Sequence, residues 1–233
     1  MTQPHDRALP GEVSPITVHI DRWRTALPPD AWPDAWPDGL ADSGLLWRRD
    51  VFAVAQAWHA GRSSTRQLLV AVLMWGYGPI GYGAWRTVRA LEGDPDGKRL
   101  AYALEGLRAP VRDEEALRTA YQRLRDPKES RLPRLGPALF TKLLYFAGYR
   151  RAAAGGAPGP GTTALGDGQL QPLILDPAVA RQLPAEAGVR RGAEWLPAEW
   201  LAYLHWAADQ ARRRGVEPDE VEMAVSQGRF THD

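Results

Sequence analysis

The chain has 233 residues, 44% hydrophobic and 24% charged, which is enough apolar material for a substantial core and excludes disorder throughout. It contains no cysteine, which excludes disulfides, thiolate zinc sites, cysteine nucleophiles and cysteine-ligated clusters. The formal charge is only +1 but is unevenly distributed. Residues 1–59 carry 5 basic and 8 acidic side chains, 60–151 carry 17 and 9, and 152–233 carry 7 and 11. The middle third is therefore where a polyanionic partner is expected to bind.

The first residues, MTQPHDRALP, are polar, and the longest apolar stretch, 68–75, is too short to span a bilayer. We expect a cytoplasmic protein with no membrane partner, associated with the nucleoid if it binds DNA. The sequence shows no metal-ligand spacing and no phosphate-binding glycine loop after a strand, so neither a metal nor a cofactor is expected.

Prolines dominate the N-terminal segment, where the near-repeat Ala-Trp-Pro-Asp occurs at 31–34 and 35–38. A helix cannot continue through such closely spaced prolines, so residues 1–44 are predicted to form an extended arm. Its tryptophans are expected to pin the arm onto a helical domain comprising residues 45–233.

Helical periodicity begins near residue 50, where apolar residues recur at i, i+3, i+4 and i+7. Further helices are predicted at 97–107, 113–125, 197–214 and 219–227. Few segments favour strands, so the predicted fold class is all-α. The Gly/Pro-rich stretch at 150–172 is predicted to be a loop within this domain or a boundary between two helical lobes.

A helix, a hairpin and a second helix are predicted between residues 126 and 148. Residues 126–129, Asp-Pro-Lys-Glu, have the pattern of a helix start, and this short helix is expected to run to about residue 132. Residues 133–136 then form a tight turn, and Pro137 opens the second helix. Gly136 would let the backbone approach a phosphate closely, and the dipole of the second helix would add to the attraction.

Two sequence strings carry a family resemblance. They are Leu-Pro-Arg-Leu-Gly-Pro-Ala at 132–138 and Pro-Leu-Ile-Leu-Asp at 172–176. Together they resemble the helix-hairpin-helix, Gly/Pro-Asp superfamily of DNA glycosylases. The strings Trp-Gly-Tyr-Gly at 75–78 and Gly-Pro-Ala-Leu-Phe-Thr-Lys at 136–142 are similar to bacterial 8-oxoguanine-glycosylase-like proteins. The resemblance covers roughly residues 45–228.

The resemblance implies a helical fold with a cleft, a hairpin that grips double-stranded DNA, and a modified base rotated out of the duplex. Asp176 takes the position of the catalytic aspartate, which would support the cationic sugar or orient a water molecule. The residues expected to contact DNA are Arg134, Leu135, Gly136, Pro137 and Thr141. Aromatic rings spaced by glycine suit a pocket wall against a base, and the residues expected to line it are Trp75, Tyr77, Tyr82 and Trp85.

This chain departs from the family pattern at Arg134, where the family commonly has glycine, and in the spacing from Gly136 to Asp176, which the Gly/Pro-rich loop lengthens to 40 residues. A third departure concerns the nucleophile. Members that also cleave the strand carry a nucleophilic lysine where this chain has Ala138, and Lys142 lies one helical turn further on. By helical rise Lys142 is about 6 Å away, so we predict hydrolysis by a monofunctional glycosylase. Lys142 would contact a phosphate or point into the cleft, and it is a candidate catalytic residue together with Asp176.

Three readings of the function remain open from the sequence. The first is a glycosylase acting on an oxidised purine, in DNA repair, or on a bulky modified pyrimidine of phage DNA, in defence. The second is a non-catalytic helix-hairpin-helix module that only binds DNA. The third is a helical scaffold with no nucleic-acid partner.

Overall fold

A computed structural model describes residues 8–36, 40–109, 113–150 and 170–231, the side chain of Ala41 excepted. Helices make up most of these residues, which confirms the predicted all-α class. A two-residue strand, β1 (Ile16–Thr17), pairs antiparallel with β2 (Leu45–Leu46). The helices, in chain order, are α1 (Ile20–Ala26), α2 (Leu40–Ser43), α3 (Arg48–His59), α4 (Thr65–Tyr77), α5 (Gly83–Glu92), α6 (Lys98–Leu104), α7 (Glu114–Arg125), α8 (Pro137–Gly148), α9 (Pro177–Gln182), α10 (Pro197–Arg214) and α11 (Pro218–Ser226).

Helices α4 and α8 form the centre of the fold and pack against each other. Helix α3 contacts both of them, α5 and α6 contact α4, and α7 contacts α8. Both central helices are buried on nearly every side, as expected for helices that are apolar all round. Residues near the end of α4 therefore lie beside residues of α8 in the interior.

The N-terminal segment is not the extended arm that its prolines predicted. Residues 20–26 form α1, because the stretch between Pro15 and Pro28 contains no proline and is free to become helical. Trp23 on this helix is 1% exposed and packs in the hydrophobic core. The segment contributes to the core instead of lying over it.

The short helix predicted at 126–132 is also wrong, because Asp126 ends α7 and does not start a new helix. The Asp126 N–H donates to the Gln122 carbonyl, and the Asp126 carbonyl accepts from the N–H groups of Glu129 and Arg131. These bonds fold the chain into successive turns. Residues 126–136, here called the α7–α8 connection, therefore contain turns only.

The remaining predicted helices are found close to their expected bounds. The prediction for 97–107 is met by α6 and a following 3-10 turn, and α10 ends at Gly215, which has a left-handed φ of 65°. Residues 151–169, most of the predicted Gly/Pro-rich loop, lie outside the described residues. Across the described ranges, no helix combines the length and the hydropathy needed to cross a membrane.

Candidate active site

Lys142 and Asp176 form an ion pair that links α8 to the start of α9. The Lys142 Nζ lies 2.5 Å from Asp176 Oδ2. The lysine side chain is 8% exposed and the aspartate side chain 24% exposed. The pair therefore combines a buried amine with a carboxylate that remains reachable from outside.

Asp176 is held in place as the N-cap of α9. Its Oδ1 accepts hydrogen bonds from the N–H groups of Ala178, at 3.0 Å, and Val179, at 3.1 Å. Pro177 occupies the first helical position, where its missing N–H is harmless. Because one carboxylate oxygen caps the helix, the other is aimed at Lys142 in a fixed orientation.

Electrostatics keep this carboxylate ionised. Burial raises the pKa of Asp176, but the Lys142 charge and the hydrogen bonds from Lys142, Val179 and Ala178 outweigh it, so the net pKa lies below the usual value. Because the pKa of Asp176 is lower in the folded than in the unfolded protein, its carboxylate stabilises the fold at pH values above the ordinary carboxyl pKa. That stabilisation is lost as the pH falls through the folded pKa.

Thr141 links α8, which carries Lys142, to the segment that precedes Asp176, and it is fully buried. Its Oγ1 lies 2.9 Å from the Pro137 carbonyl and 3.0 Å from the Leu175 carbonyl, and accepts from the Leu175 N–H at 3.1 Å. The sequence prediction that Thr141 contacts DNA is therefore wrong, because its side chain is buried and its hydroxyl bonds to the protein backbone. Its hydroxyl positions the segment that precedes Asp176.

Replacing Thr141 with valine tests this positioning role, because valine keeps the shape and removes the hydroxyl. We expect the free energy of unfolding to fall by about 1–3 kcal/mol, since the buried Leu175 N–H loses its acceptor. With the glycosylase activity that the sequence resemblance implies, we also expect slower base release and unchanged affinity for DNA. Chemical denaturation and single-turnover assays measure the two effects.

Thr87→Val is the matched control for this substitution. Thr87 is equally buried and donates to the carbonyl four residues earlier, at Gly83, but its hydroxyl has no link to the ion pair. Thr87→Val should leave base release unchanged. Equal rates in both variants and the parent would contradict the positioning role of Thr141.

Gly76 makes room for the lysine stem and was not singled out by sequence for this role. A Cβ placed on Gly76 would lie 3.1 Å from Lys142 Cδ and 3.6 Å from a methyl group of Leu139. Lys142 therefore runs directly over the backbone of α4. Its packing explains why a glycine follows Trp75 in an otherwise bulky apolar helix.

A second buried ion pair, Arg48–Glu222, lies in the same region and was missed by the sequence analysis. The Arg48 guanidinium donates to both Glu222 carboxylate oxygens, at 2.6 and 3.3 Å, and stacks 5.0 Å from the Trp75 ring. Burial raises the pKa of Glu222, and Arg48 opposes that rise. No local pattern pointed to this pair, because its members are 174 positions apart.

The structure divides the four aromatic residues predicted to line a base pocket, and among them the Tyr77 and Tyr82 rings pack edge to face with centroids 6.1 Å apart. Trp75 is half-buried, with its ring 5.9 Å from Lys142 Nζ, and Tyr77 is buried. Tyr82 and Trp85 are each 50% exposed. Only Trp75 of the four is seen in contact with the ion pair, while Tyr82 and Trp85 form part of the surface.

That surface includes the α7–α8 connection. Arg134 lies over the Trp85 ring at 5.8 Å, and both residues line a shallow groove together with Arg89 and Pro133. Glu92 also lines the groove and is paired with Arg89. Two arginines beside a half-exposed tryptophan form a mainly cationic, aromatic surface.

The turn geometry differs from the expectation for Gly136. Gly136 is extended, with φ −85° and ψ 177°, and the left-handed residue is Arg134, with φ 65°. Leu135 and Pro137 are buried, so their side chains anchor the turn and are not available to DNA. Of the five predicted DNA contacts, Arg134 is exposed and Gly136 half-buried.

A scan against protein families matches residues 11–226 to the family described as "Putative 8-oxoguanine DNA glycosylase OGG-like protein". The chain belongs to this family. The matched range includes most of the segment that was expected to be a separate arm, in agreement with its packing in the core of this OGG-like protein. Searches of curated proteins and of solved structures gave no match.

Proposed function

We propose that this OGG-like protein is a DNA glycosylase that rotates a modified base out of double-stranded DNA and breaks its N-glycosidic bond. The observation that carries the proposal is the Lys142–Asp176 pair, with its ionised carboxylate, on a chain that belongs to a glycosylase family. Neither a DNA-binding module nor a scaffold requires a partly exposed carboxylate held against a buried amine.

Asp176 would support the departure of the base. As the glycosidic bond breaks, positive charge develops on the sugar, and a fixed carboxylate nearby stabilises it. The helix cap fixes Asp176 before the substrate binds, so little reorganisation is needed during the reaction.

Two routes differ in the atom that attacks C1′, which is either a water oxygen or Lys142 Nζ. Ala138 at the position of the family lysine favours activated water and a monofunctional enzyme. The second route is attack by the Lys142 amine. The position of this amine favours that route, because the long side chain brings Nζ to Asp176 although its backbone lies one helical turn beyond Ala138. The backbone of Lys142 lies about 6 Å along α8 from Ala138, and the long side chain spans that distance.

We therefore propose the amine route, with hydrolysis as the alternative. In this route the Lys142 ammonium passes one proton to the departing base, and Nζ forms a bond to C1′ while the bond from C1′ to the base breaks. A second Nζ proton then moves to the ring oxygen as the bond from C1′ to that oxygen breaks, which opens the sugar and yields a protonated imine between Nζ and C1′.

The α7–α8 connection, with α7 and α8 on either side, is proposed as the helix-hairpin-helix element that grips the DNA backbone. It lies in the basic middle third of the sequence, and its exposed Arg134 adjoins Trp85 and Arg89. Arginines at such a surface neutralise phosphates, which makes affinity fall steeply with salt.

Arg134→Gly should separate DNA binding from stability. We expect the free energy of unfolding to rise by about 1 kcal/mol, because glycine adopts a left-handed φ without the strain that arginine carries there. Affinity for all duplexes should fall, and the slope of log affinity against log salt should decrease by about 0.9. Fluorescence anisotropy across a salt series measures both binding effects.

Arg134→Lys is the control, because it keeps both the charge and a side chain at this position. It should bind DNA with nearly the salt slope of the parent. If Arg134→Gly also retained the parent's affinity and slope, the α7–α8 connection would not be part of the DNA interface.

The function itself is tested with duplexes that each carry a single modified base, covering oxidised purines and bulky modified pyrimidines. Alkali treatment after incubation converts each abasic site into a strand break. Breaks at one class of base would identify the substrate and distinguish repair from defence against modified phage DNA. Tight binding of modified duplexes without any base release would favour the non-catalytic module.

A further inference from the structure

Two polar atoms beside the Lys142–Asp176 pair are buried without a hydrogen-bond partner among the described residues. They are the Tyr203 hydroxyl and the Trp75 indole N–H, near the end of α4. Tyr203 lies on α10 one helical turn after Trp200, whose indole N–H donates to the Leu173 carbonyl in the segment that precedes Asp176. Tyr203 is completely buried. An unpaired buried polar group destabilises the fold, so the molecule carries two such costs in one region.

The Tyr203 hydroxyl is affected by the charges of the proposed active site. Burial raises the pKa of its hydroxyl well above the usual value, and the negative charges of Glu222 and Asp176 raise it further, while Arg48 opposes the rise. The hydroxyl is therefore fully protonated at neutral pH and available as a donor. Trp75 meets the same groups, since Lys142 and Arg48 both lie over its ring.

The other buried phenols and indoles show what this chain does where only packing is required. Tyr121 donates to the Trp195 carbonyl at 2.8 Å, and Tyr145 donates to Asp219 at 2.9 Å. The indole N–H groups of Trp58, Trp195 and Trp200 all have acceptors within 3.1 Å. Tyr203 and Trp75 therefore differ from these five paired side chains.

The other unpartnered buried atoms in the described ranges lie elsewhere and have local explanations. Trp36 Nε1 adjoins residues 37–39, which lie outside the described residues. Arg66 Nε belongs to a guanidinium whose other nitrogens contact Pro95 and Asp30. Only the Tyr203 and Trp75 atoms are associated with the ion pair.

We infer that the Tyr203 hydroxyl and the Trp75 N–H are specificity-determining donors that hydrogen-bond acceptor atoms on the edge of the rotated base. An indole N–H can only donate, and the protonated phenol can donate as well, so the matching ligand edge carries acceptors, either carbonyl oxygens or unprotonated ring nitrogens. The inference rests on the proposed glycosylase function and names what its site would select.

Selection of this kind is strong because a base without the acceptors leaves the buried donors unpaired. A site built to hydrogen-bond a substrate rejects an analogue that lacks the matching group far more effectively than an apolar pocket rejects a change of size. Trp75 adds a ring face that stacks against a flat ligand.

Tyr203→Phe tests the inference, because it removes only the hydroxyl. We expect an unchanged or higher melting temperature, since an unpaired buried group disappears, together with a loss of about tenfold in kcat/KM for base release. Tyr121→Phe is the matched control, and its loss of a bonded hydroxyl should lower the melting temperature without changing kcat/KM. Trp75→Phe should resemble Tyr203→Phe in activity while retaining a ring.

The decisive readout is the preference between two bases that differ only in one acceptor replaced by a hydrogen. The parent should favour the acceptor-bearing base, and Tyr203→Phe or Trp75→Phe should lose most of that preference.

Unchanged rate and preference in both variants would overturn the inference while leaving the glycosylase function intact, and would indicate that a bound water satisfies these donors. If the parent releases no base from any duplex, the proposed function fails and the inference fails with it.

Discussion

Asp176→Asn is expected to reduce base release by at least about 100-fold while leaving affinity for DNA within a few-fold of the parent. Removing a group that stabilises transition-state charge typically costs about 100- to 1000-fold in rate. The amide oxygen can still accept from Ala178 and Val179, and asparagine is as good an N-cap as aspartate, so α9 should remain in place. Single-turnover base release and anisotropy with the same modified duplex measure the two quantities.

Asp113→Asn is the matched control. Asp113 is the N-cap of α7 and accepts from the Ala116 N–H, so the same chemical change is made at an equivalent structural position away from Lys142. Asp113→Asn should release base at the parent's rate. Normal turnover by Asp176→Asn, in a protein shown to be folded, would rule out the carboxylate as an essential group.

The helices were predictable because their signals are local. The capped start of α7 at Asp113 and the glycine after α10 act over three or four residues. The short helix at 126–132 failed for the same reason, since the pattern at 126–129 fits both a helix start and a helix end. The contact that decided between them, from Asp126 back to Gln122, belongs to α7.

The candidate site was only half predictable. Asp176 and Lys142 were singled out separately, but their contact depends on α8 packing against the segment at 173–176, through Thr141. The sequence suggested a DNA contact for Thr141 because it could not show which face of α8 is buried. Arg48 and Glu222 were missed because nothing local distinguishes them from surface residues.

Gly136 shows how a resemblance identifies a feature without giving its geometry. The left-handed residue of this turn is Arg134, at a position where the family resemblance would place a glycine. Gly136 keeps an ordinary extended conformation. A turn that needs a positive φ is thus recognisable from the motif, whereas the residue that adopts it depends on hydrogen bonds such as that from Leu135 to Leu132.

Borohydride treatment during turnover is expected to trap a covalent complex between the protein and DNA that disappears in Lys142→Gln. The imine formed by the amine route is reduced to a stable bond, whereas hydrolysis leaves no covalent link between protein and DNA that reduction could fix. The chain has three lysines, and Lys98 and Lys128 are both exposed, so assignment is simple. Denaturing electrophoresis of labelled duplex measures the trapped fraction.

Lys98→Gln and Lys128→Gln are the controls, and both should trap as efficiently as the parent. Lys142→Gln should also release base at least about 100-fold more slowly, because it removes the nucleophile and leaves Asp176 without its counter-charge. The amine route fails if the parent gives no trapped complex and its abasic product breaks only after added alkali. Water would then be the nucleophile, the enzyme would be monofunctional as Ala138 suggests, and Lys142 would act only by holding the Asp176 carboxylate in its ionised form.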